Sequence, residues 1–277
     1  MAEIELGLYH YKLIYSIVTI LESSKLIKNT ISDCFYKITV SINPDLSILF
    51  LYDEQNKLKP FLSQGIEIEK IKEIDWEKDG IISKTIEYSL PIKTDSLIQD
   101  KSLKNTFLVL PGLGYKLDSI ISIPISYDKN NYGLLFFANK EKKFTPHEFE
   151  TLKIISSQIS YHFEINDLTE QADKKCKYFS VILDQMSSGI IIYSENNLKF
   201  MNKKAEIITE REGVKNENLL NLIKEIVQNQ KSVSRMETNI IFGGKSKLIG
   251  YSANFAKING EDTVILLFQD ITQFAKR

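Results

Sequence analysis

Between Phe144 and Met186 no glycine or proline follows Pro146, and apolar residues recur three or four apart. They fall at Leu152, Ile155, Ile159 and Phe163, then at Leu168, Ala172, Cys176, Phe179, Leu183 and Met186. That spacing places one stripe on one face of a single long helix. Thr145 is its N-cap candidate, and Pro146 stands at the first helical position, where a missing N–H leaves no bond unmade. At ~1.5 Å per residue, roughly 40 residues reach about 60 Å, more than the width of a small domain. The stretch therefore predicts two domains served by one helix. The stripe changes phase around Asn166 and Asp167, which sets the boundary there. The expected division is a first domain over 1–164, a connecting helix over 165–187 and a second domain over 188–277.

The 277 residues suffice for two ordinary cores, and 43% hydrophobic with 26% charged content is that of a folded chain. A formal net charge of -1 and a pI near 6.4 offer no electrostatic footprint for nucleic acid. The longest apolar run, Leu13 to Leu21, is too short to span a bilayer, and the MAEIE start lacks a basic leader. A cytoplasmic protein making no membrane contact is the expectation. Cys34 and Cys176 lie far apart within helical patterns, and His10, His147 and His162 are scattered. No disulfide framework or zinc site can be assembled from them.

Read in order, Leu8–Ser23 and Leu26–Val40 carry helical spacing and meet at Ser23 and Ser24. Ser47–Gly65 reads as strand, polar turn and strand. Asp79–Leu97 reads as a short helix capped by Asp79, ending before Pro91 and feeding a strand at Ile92–Thr94. Asp100–Tyr115 is less regular, a loop with a turn of helix. SIISIPISY, DKNN and YGLLFFANK then give strand, turn and strand. Helices, an antiparallel sheet and a returning helix make an α+β layer arrangement. The run SIISIPISYDKNNYGLLFFANKEKKFTPHEFETLKIISSQIS resembles the C-terminal half of a GAF domain, and DGIISKTIEYSLPIKTDSL is similar to the helix and strand before that family's ligand pocket. The likeness covers about Leu8 to Glu164.

Beyond the long helix, Gly189–Tyr193 and LKF before Asn202 read as strands, and Asn202 is placed to cap the helix KKAEIIT. Leu219–Gln228 predicts another helix. Three strands follow at Ser232–Phe242, Lys247–Ala256 and Thr263–Asp270, joined by Gly243-Gly244 and Asn259-Gly260 turns. This order resembles a PAS domain, carried by SGIIIYSENNLKFMNKKAE and VILLFQDIT. Asp270-Ile271-Thr272 looks like the motif through which PAS domains pass into a following signalling helix. The resemblance assigns signal transmission to Asn202, Asp270 and Thr272.

No nucleophile motif, phosphate-binding loop or metal triad is present, so no catalytic residue and no metal ligand is assigned. The Asn139, Lys140 and Phe144 of a cyclic-nucleotide GAF motif are followed by Glu148 and Phe149 in place of its acidic pair. Cys34 precedes the first strand, outside the region where bilin-binding members attach pigment. The pocket cysteines of methionine-sulfoxide-reducing members are absent. His147 reads as a solvated surface residue and His162 as a helix-surface residue, with haem ligation its alternative. Ligand-pocket candidates are Asp95, Ser96, Ile121, Ile123, Leu135 and Phe137 in the first domain and Tyr193, Met201, Tyr251 and Phe268 in the second. Plain core is the competing reading of the apolar ones, and a turn or helix cap that of Asp95. The reading is a cytoplasmic GAF–PAS sensory protein without catalytic machinery, the ligand unidentified. It would form a parallel homodimer through Leu8–Leu21 and the long-helix stripe, and serve a histidine kinase or other two-component output supplied in cis or in trans. A ligand-free dimerisation adaptor and a haem or flavin redox sensor are the alternatives.

Overall fold

A computed structural model describes residues 2–23, 26–72, 80–95, 117 and 119–274. The chain divides into two compact units, Met1–Glu170 and Gln171–Arg277.

The first unit opens with helices α1 (Ala2–Leu21) and α2 (Ile27–Ile42). Strands β1 (Leu46–Tyr52) and β2 (Leu58–Gln64), helix α3 (Ile81–Tyr88) and strand β3 (Ile92–Thr94) follow, then β4 (Ser119–Tyr127) and β5 (Asn130–Asn139). The five strands form an antiparallel sheet in the order β2-β1-β5-β4-β3. The strand periodicity turns Leu49, Ile121, Ile123, Leu135 and Phe137 to one face, where they pack with Ile17 of α1, Phe35 of α2 and Leu152 and Ile155 of helix α4 (Pro146–Asp184). The opposite face carries Ile48, Phe50, Ile120, Leu134 and Phe136 beneath Ile81 and Ile82 of α3. Gly133 faces Leu51 in the β1–β5 ladder, and a Cβ there would lie 2.0 Å from the Phe50 carbonyl oxygen, so no larger residue fits without moving the strand. Past Ser122 the outer edge of β4 lacks a partner strand among the described residues. Pro124 there has no N–H, and the Ser156 hydroxyl donates to its carbonyl at 2.6 Å.

Helix α4 begins on the expected N-cap. Thr145 Oγ1 accepts from Glu148 N–H at 3.1 Å, and the Glu148 carboxylate accepts from Thr145 N–H at 2.7 Å, a reciprocal capping box. Leu152, Ile155 and Ile159 are buried and Phe163 half-buried. At the last turns within the first unit, Tyr132 stacks on Phe163 with centroids 5.0 Å apart and donates to Glu164 at 2.5 Å. Burial and Glu164 hold the Tyr132 hydroxyl above its ordinary pKa. The later members of the expected stripe are not buried: Leu168 is 55% and Phe179 61% exposed, and Ala172 and Cys176 are exposed too.

The second unit holds the C-terminal part of α4, strands β6 (Gly189–Ser194) and β7 (Asn197–Met201), helices α5 (Lys203–Ile208) and α6 (Glu217–Asn229), and strands β8 (Val233–Phe242), β9 (Lys245–Ile258) and β10 (Glu261–Asp270). Its antiparallel order, β7-β6-β10-β9-β8, repeats the strand sequence of the first sheet. Both expected tight turns occur, with positive φ at Gly243 and Gly244 and at Asn259 and Gly260. Ile191, Val264, Leu266 and Phe268 line the inner face against Ala205, Leu219 and Ile223 of the two helices. Strand β8 bulges at 234–235, where Arg235 takes φ 56° and its N–H is accepted by Ser252 Oγ.

Candidate functional site

In the first unit the four apolar pocket candidates share a face, as alternation requires. It is the face closed by α1, α2 and α4, where each is at most 1% exposed. Ile123 borders an open hollow of about 420 Å³ with Pro124 and Ser156, and Ile121, Leu135 and Phe137 do not line it. The other sheet face, under α3, carries a buried polar pair: Thr85 Oγ1 and Ser122 Oγ lie 2.8 Å apart. Asp95 accepts from Ser119 Oγ at 3.1 Å and from Lys93 Nζ at 3.0 Å, while Ser119 Oγ also accepts from Phe144 N–H. It thus ties the end of β3 to the start of β4. Ser96, the helix cap expected at Asp79 and the irregular 100–115 stretch lie outside the described residues.

In the second unit Tyr193, Met201, Tyr251 and Phe268 all belong to one inner-face cluster, Tyr193 and Phe268 buried and the other two partly so. Tyr251 borders a cleft of about 430 Å³ between α6 and the start of β8, with Leu222, Glu225, Ile226, Asn229, Val233 and Met236. Its lining is mostly aliphatic, and Glu225, Asn229, Lys231 and Tyr251 add a carboxylate, an amide, an ammonium and a phenol, the mix suited to orienting a small amphipathic molecule. Burial, then the nearby Glu225 charge, pushes the Tyr251 hydroxyl above its ordinary pKa, so it stands as a neutral donor. Tyr193 borders a separate cavity of about 420 Å³ near the hairpin tips, and Met201 lines neither.

Asn202 does more than cap α5. Fully buried, it accepts through Oδ1 from Ala205 N–H at 2.9 Å and Ile190 N–H at 2.8 Å. Through Nδ2 it donates to the carbonyls of Leu183, at 2.8 Å, and Ser188, at 3.0 Å. One amide thereby fixes the last turn of α4, the turn after it, the first strand and α5. Asp184 adds a bond from Lys203 N–H at 2.8 Å. Gly189 pairs with Phe268 across the ladder, where a Cβ would meet the Phe268 ring at 2.8 Å.

At the same end of the sheet Asp270 Oδ1 accepts from the Thr272 hydroxyl at 2.6 Å and its N–H at 3.0 Å. Thr272 Oγ1 in turn accepts from Leu248 N–H, and Ile271 N–H reaches the Leu248 carbonyl. Burial opposes ionisation of Asp270, but the two Thr272 bonds, with Lys247 and Lys204, hold its carboxyl below the usual range. Gln269 Nε2 donates to Ser188 Oγ at 2.8 Å, bringing the exit strand to the turn that Asn202 holds.

Sequence reasoning marked Asn202 as a cap but missed its other three bonds, because Leu183, Ser188 and Ile190 are not at cap spacing. It also missed that His10 and His147 stack with centroids 6.2 Å apart. His10 is 8% exposed, and neither ring nitrogen has a hydrogen-bond partner among the described residues. Cys34 is buried, which pushes its thiol up to about 12, and Cys176 is exposed. Among the described residues no group of three or more metal-ligating side chains converges, and no helix is long and apolar enough to cross a membrane.

No family model matches the chain, and no curated protein sequence does. Solved structures do. A chain of the Escherichia coli DhaR(N)–DhaL complex is similar with a TM-score of 0.58 at 12% identity, over 95% of this chain and 89% of that one. The GAF domain of a Coxiella burnetii phosphoenolpyruvate-protein phosphotransferase is similar at 0.50 and 14% identity, over 59% of this chain and 98% of its own. The corresponding Acinetobacter GAF domain scores 0.49 at 16% identity, over 57% and 94%. At such identities the likeness speaks to fold alone: this chain contains a GAF fold.

Proposed function

We propose that this chain is a signal-sensing regulatory module, a GAF domain followed by a PAS domain joined by α4, that passes small-molecule or partner signals to a histidine kinase or other two-component output. The observation that carries it is the Asn202 amide, whose four bonds join the end of α4 to the sheet and to α5. A change in the α5–α6 side of the sheet, such as a molecule entering the Tyr251 cleft, would reach the α4 carbonyls through this one side chain. The Asp270–Thr272 clasp fits the same reading, since it fixes the direction in which the chain leaves β10. No catalytic role is assigned to any residue, and the site of action is cytoplasmic in this reading. A ligand-free adaptor is the second reading.

The test is native mass spectrometry and an absorbance scan of the purified chain, followed by a small-molecule thermal-shift screen. A retained or stabilising molecule whose binding changes amide exchange at 183–190 supports the sensor. Stabilisation lost in Tyr251→Ala places the molecule in the cleft. No bound mass, no visible absorbance and no stabilising compound leaves the adaptor. A haem or flavin band makes the protein a redox sensor instead.

A further inference from the structure

We infer that the groove between α6 and the open edge of β8 takes an extended segment of a partner protein, which adds to the five-stranded sheet as a further strand antiparallel to β8. This partner occupies the same input site as the Tyr251 cleft and rests on that reading of it.

The ladder decides which backbone groups are spare. Phe242 and Lys245 close the two-residue Gly243-Gly244 turn as a hydrogen-bonded pair, so the bonds to β9 recur at Ile240 and Thr238. The N–H and C=O of Glu237, Asn239 and Ile241 point instead to the open edge. Asn216 Nδ2 donates to the Ile241 carbonyl at 2.7 Å, which agrees with that direction and stops the edge at one end. At the other end the bulge at 234–235 turns the Arg235 N–H back to Ser252. Between these stops Glu237 and Asn239 are exposed, and their outward backbone groups have no partner among the described residues. Paired donors and acceptors at every second residue are what an extended chain offers in return.

What flanks the edge selects the side chains. The Tyr251 cleft continues into a hollow of about 320 Å³ lined by Asn218, Asn221, Thr238 and Asn239, the two sharing Leu222 and Glu225. The groove therefore runs along α6 beside Met236 to Ile240, and a segment paired there turns alternate side chains toward the helix. Beside Met236 lie Leu222, Ile226 and Val233, which suit a leucine. Two residues toward the segment's N-terminus, beside Thr238, stands Glu225, exposed and without an ion pair among the described residues, so a lysine or arginine fits. Two residues the other way Lys231 suits a carboxylate. Basic, apolar and acidic side chains at alternate positions are thus the complement of this groove. The β8 edge of a second copy is not: antiparallel pairing about Thr238 brings Glu225 and Glu237 of both copies to one seam.

Fluorescence anisotropy of the full chain with a fluorescein-labelled heptapeptide, STKTLTE, tests this, its serine, lysine, leucine and glutamate facing α6. Binding with a Kd on the order of 100 µM or tighter is expected, the strength of a small, transient contact. N-methylation of the two threonines beside the lysine removes N–H groups aimed at β8 and should cost at least ~10-fold, whereas N-methylation of the lysine, whose N–H points away, should cost ~2-fold or less. Asn239→Pro removes an edge donor but no bond to β9, so it should weaken binding ~10-fold with circular dichroism unchanged. Glu225→Lys, at an exposed site, should weaken it ~5-fold and favour the peptide with glutamate in place of lysine. No binding at about 0.5 mM chain, equal loss from either N-methylation, or an Asn239→Pro chain that binds as the parent does would each overturn the inference. So would loss of self-association, rather than of peptide binding, in Asn239→Pro, which gives the edge to a second copy. Peptide binding that leaves amide exchange at 183–190 unchanged keeps the inference and counts against the sensor reading, and a Tyr251-dependent small-molecule shift without peptide binding does the reverse.

Discussion

Replacing Asn202 with alanine strips four hydrogen bonds from a fully buried position, and the partners left behind decide the outcome. The N–H groups of Ile190 and Ala205 are buried donors, and each left without an acceptor costs ~1–3 kcal/mol. The cap of α5 is counted within the second of these. The carbonyls of Leu183 and Ser188 are only partly buried, and Leu183 retains Met186 N–H at 3.3 Å, so they add little. A loss of about 2–6 kcal/mol follows, which for a roughly 100-residue unit lowers its melting midpoint by at least ~8 °C. Thermal unfolding by circular dichroism reads the midpoint, and hydrogen exchange at Ile190 and Ala205 localises the effect. Asn202→Asp separates the two halves of the node. Its acceptor oxygen still serves both N–H groups, but the second oxygen faces two carbonyls, so protection should fall at the end of α4 while α5 stays capped. A loss below ~1 kcal/mol in Asn202→Ala would refute the idea that this amide couples helix to sheet.

Two further outcomes follow from single residues. Burial lowers the pKa of His10, opposed by Glu148 and reinforced by His147, so the native ring is neutral. A depressed histidine contributes stability above its unfolded value of about 6.5 and loses it as pH falls through that value toward the native one. His10→Phe should therefore unfold at nearly the same denaturant concentration as the parent at pH 7.5 and at a higher one at pH 5.5. His162, also lowered by burial, remains in both chains as an internal control. Equal pH slopes would exclude His10. Gly133→Ala places a methyl 2.0 Å from the Phe50 carbonyl and forces β1 and β5 apart, with an expected loss of at least ~2 kcal/mol in the first unit. A midpoint unchanged in chemical denaturation would show that the strand gives way easily.

What the residue pattern disclosed and what it withheld have physical reasons. Thr145, Asn202, Gly243-Gly244 and Asn259-Gly260 act through neighbours within a few positions, so their caps and turns are legible locally. Alternation put Ile121, Ile123, Leu135 and Phe137 on one face correctly, but a period of two does not say which face meets the long helices and which meets α3. The stripe of α4 is legible as a helix, yet three-and-four spacing admits both the Lys175–Ile182 and the Cys176–Leu183 versions, and only exposure separates them. Along α1 the same ambiguity arises. Leu13, Ile17 and Leu21 turn inward to the unit's own core, leaving Leu8, Tyr11 and Tyr15 outside. The Asp95–Ser119 bond and the stacking of His10 on His147 depend on contacts far apart in sequence, which no local pattern encodes.

Pro124 bears on how the protein behaves when crowded. An open strand flank ordinarily invites a stranger's backbone to zip alongside, the first step toward fibrils. Here the inviting amide is absent, and a serine from the neighbouring helix already occupies the carbonyl beside it. The flank is thus blunted at Pro124, and a strand from another molecule finds neither donor nor free acceptor there.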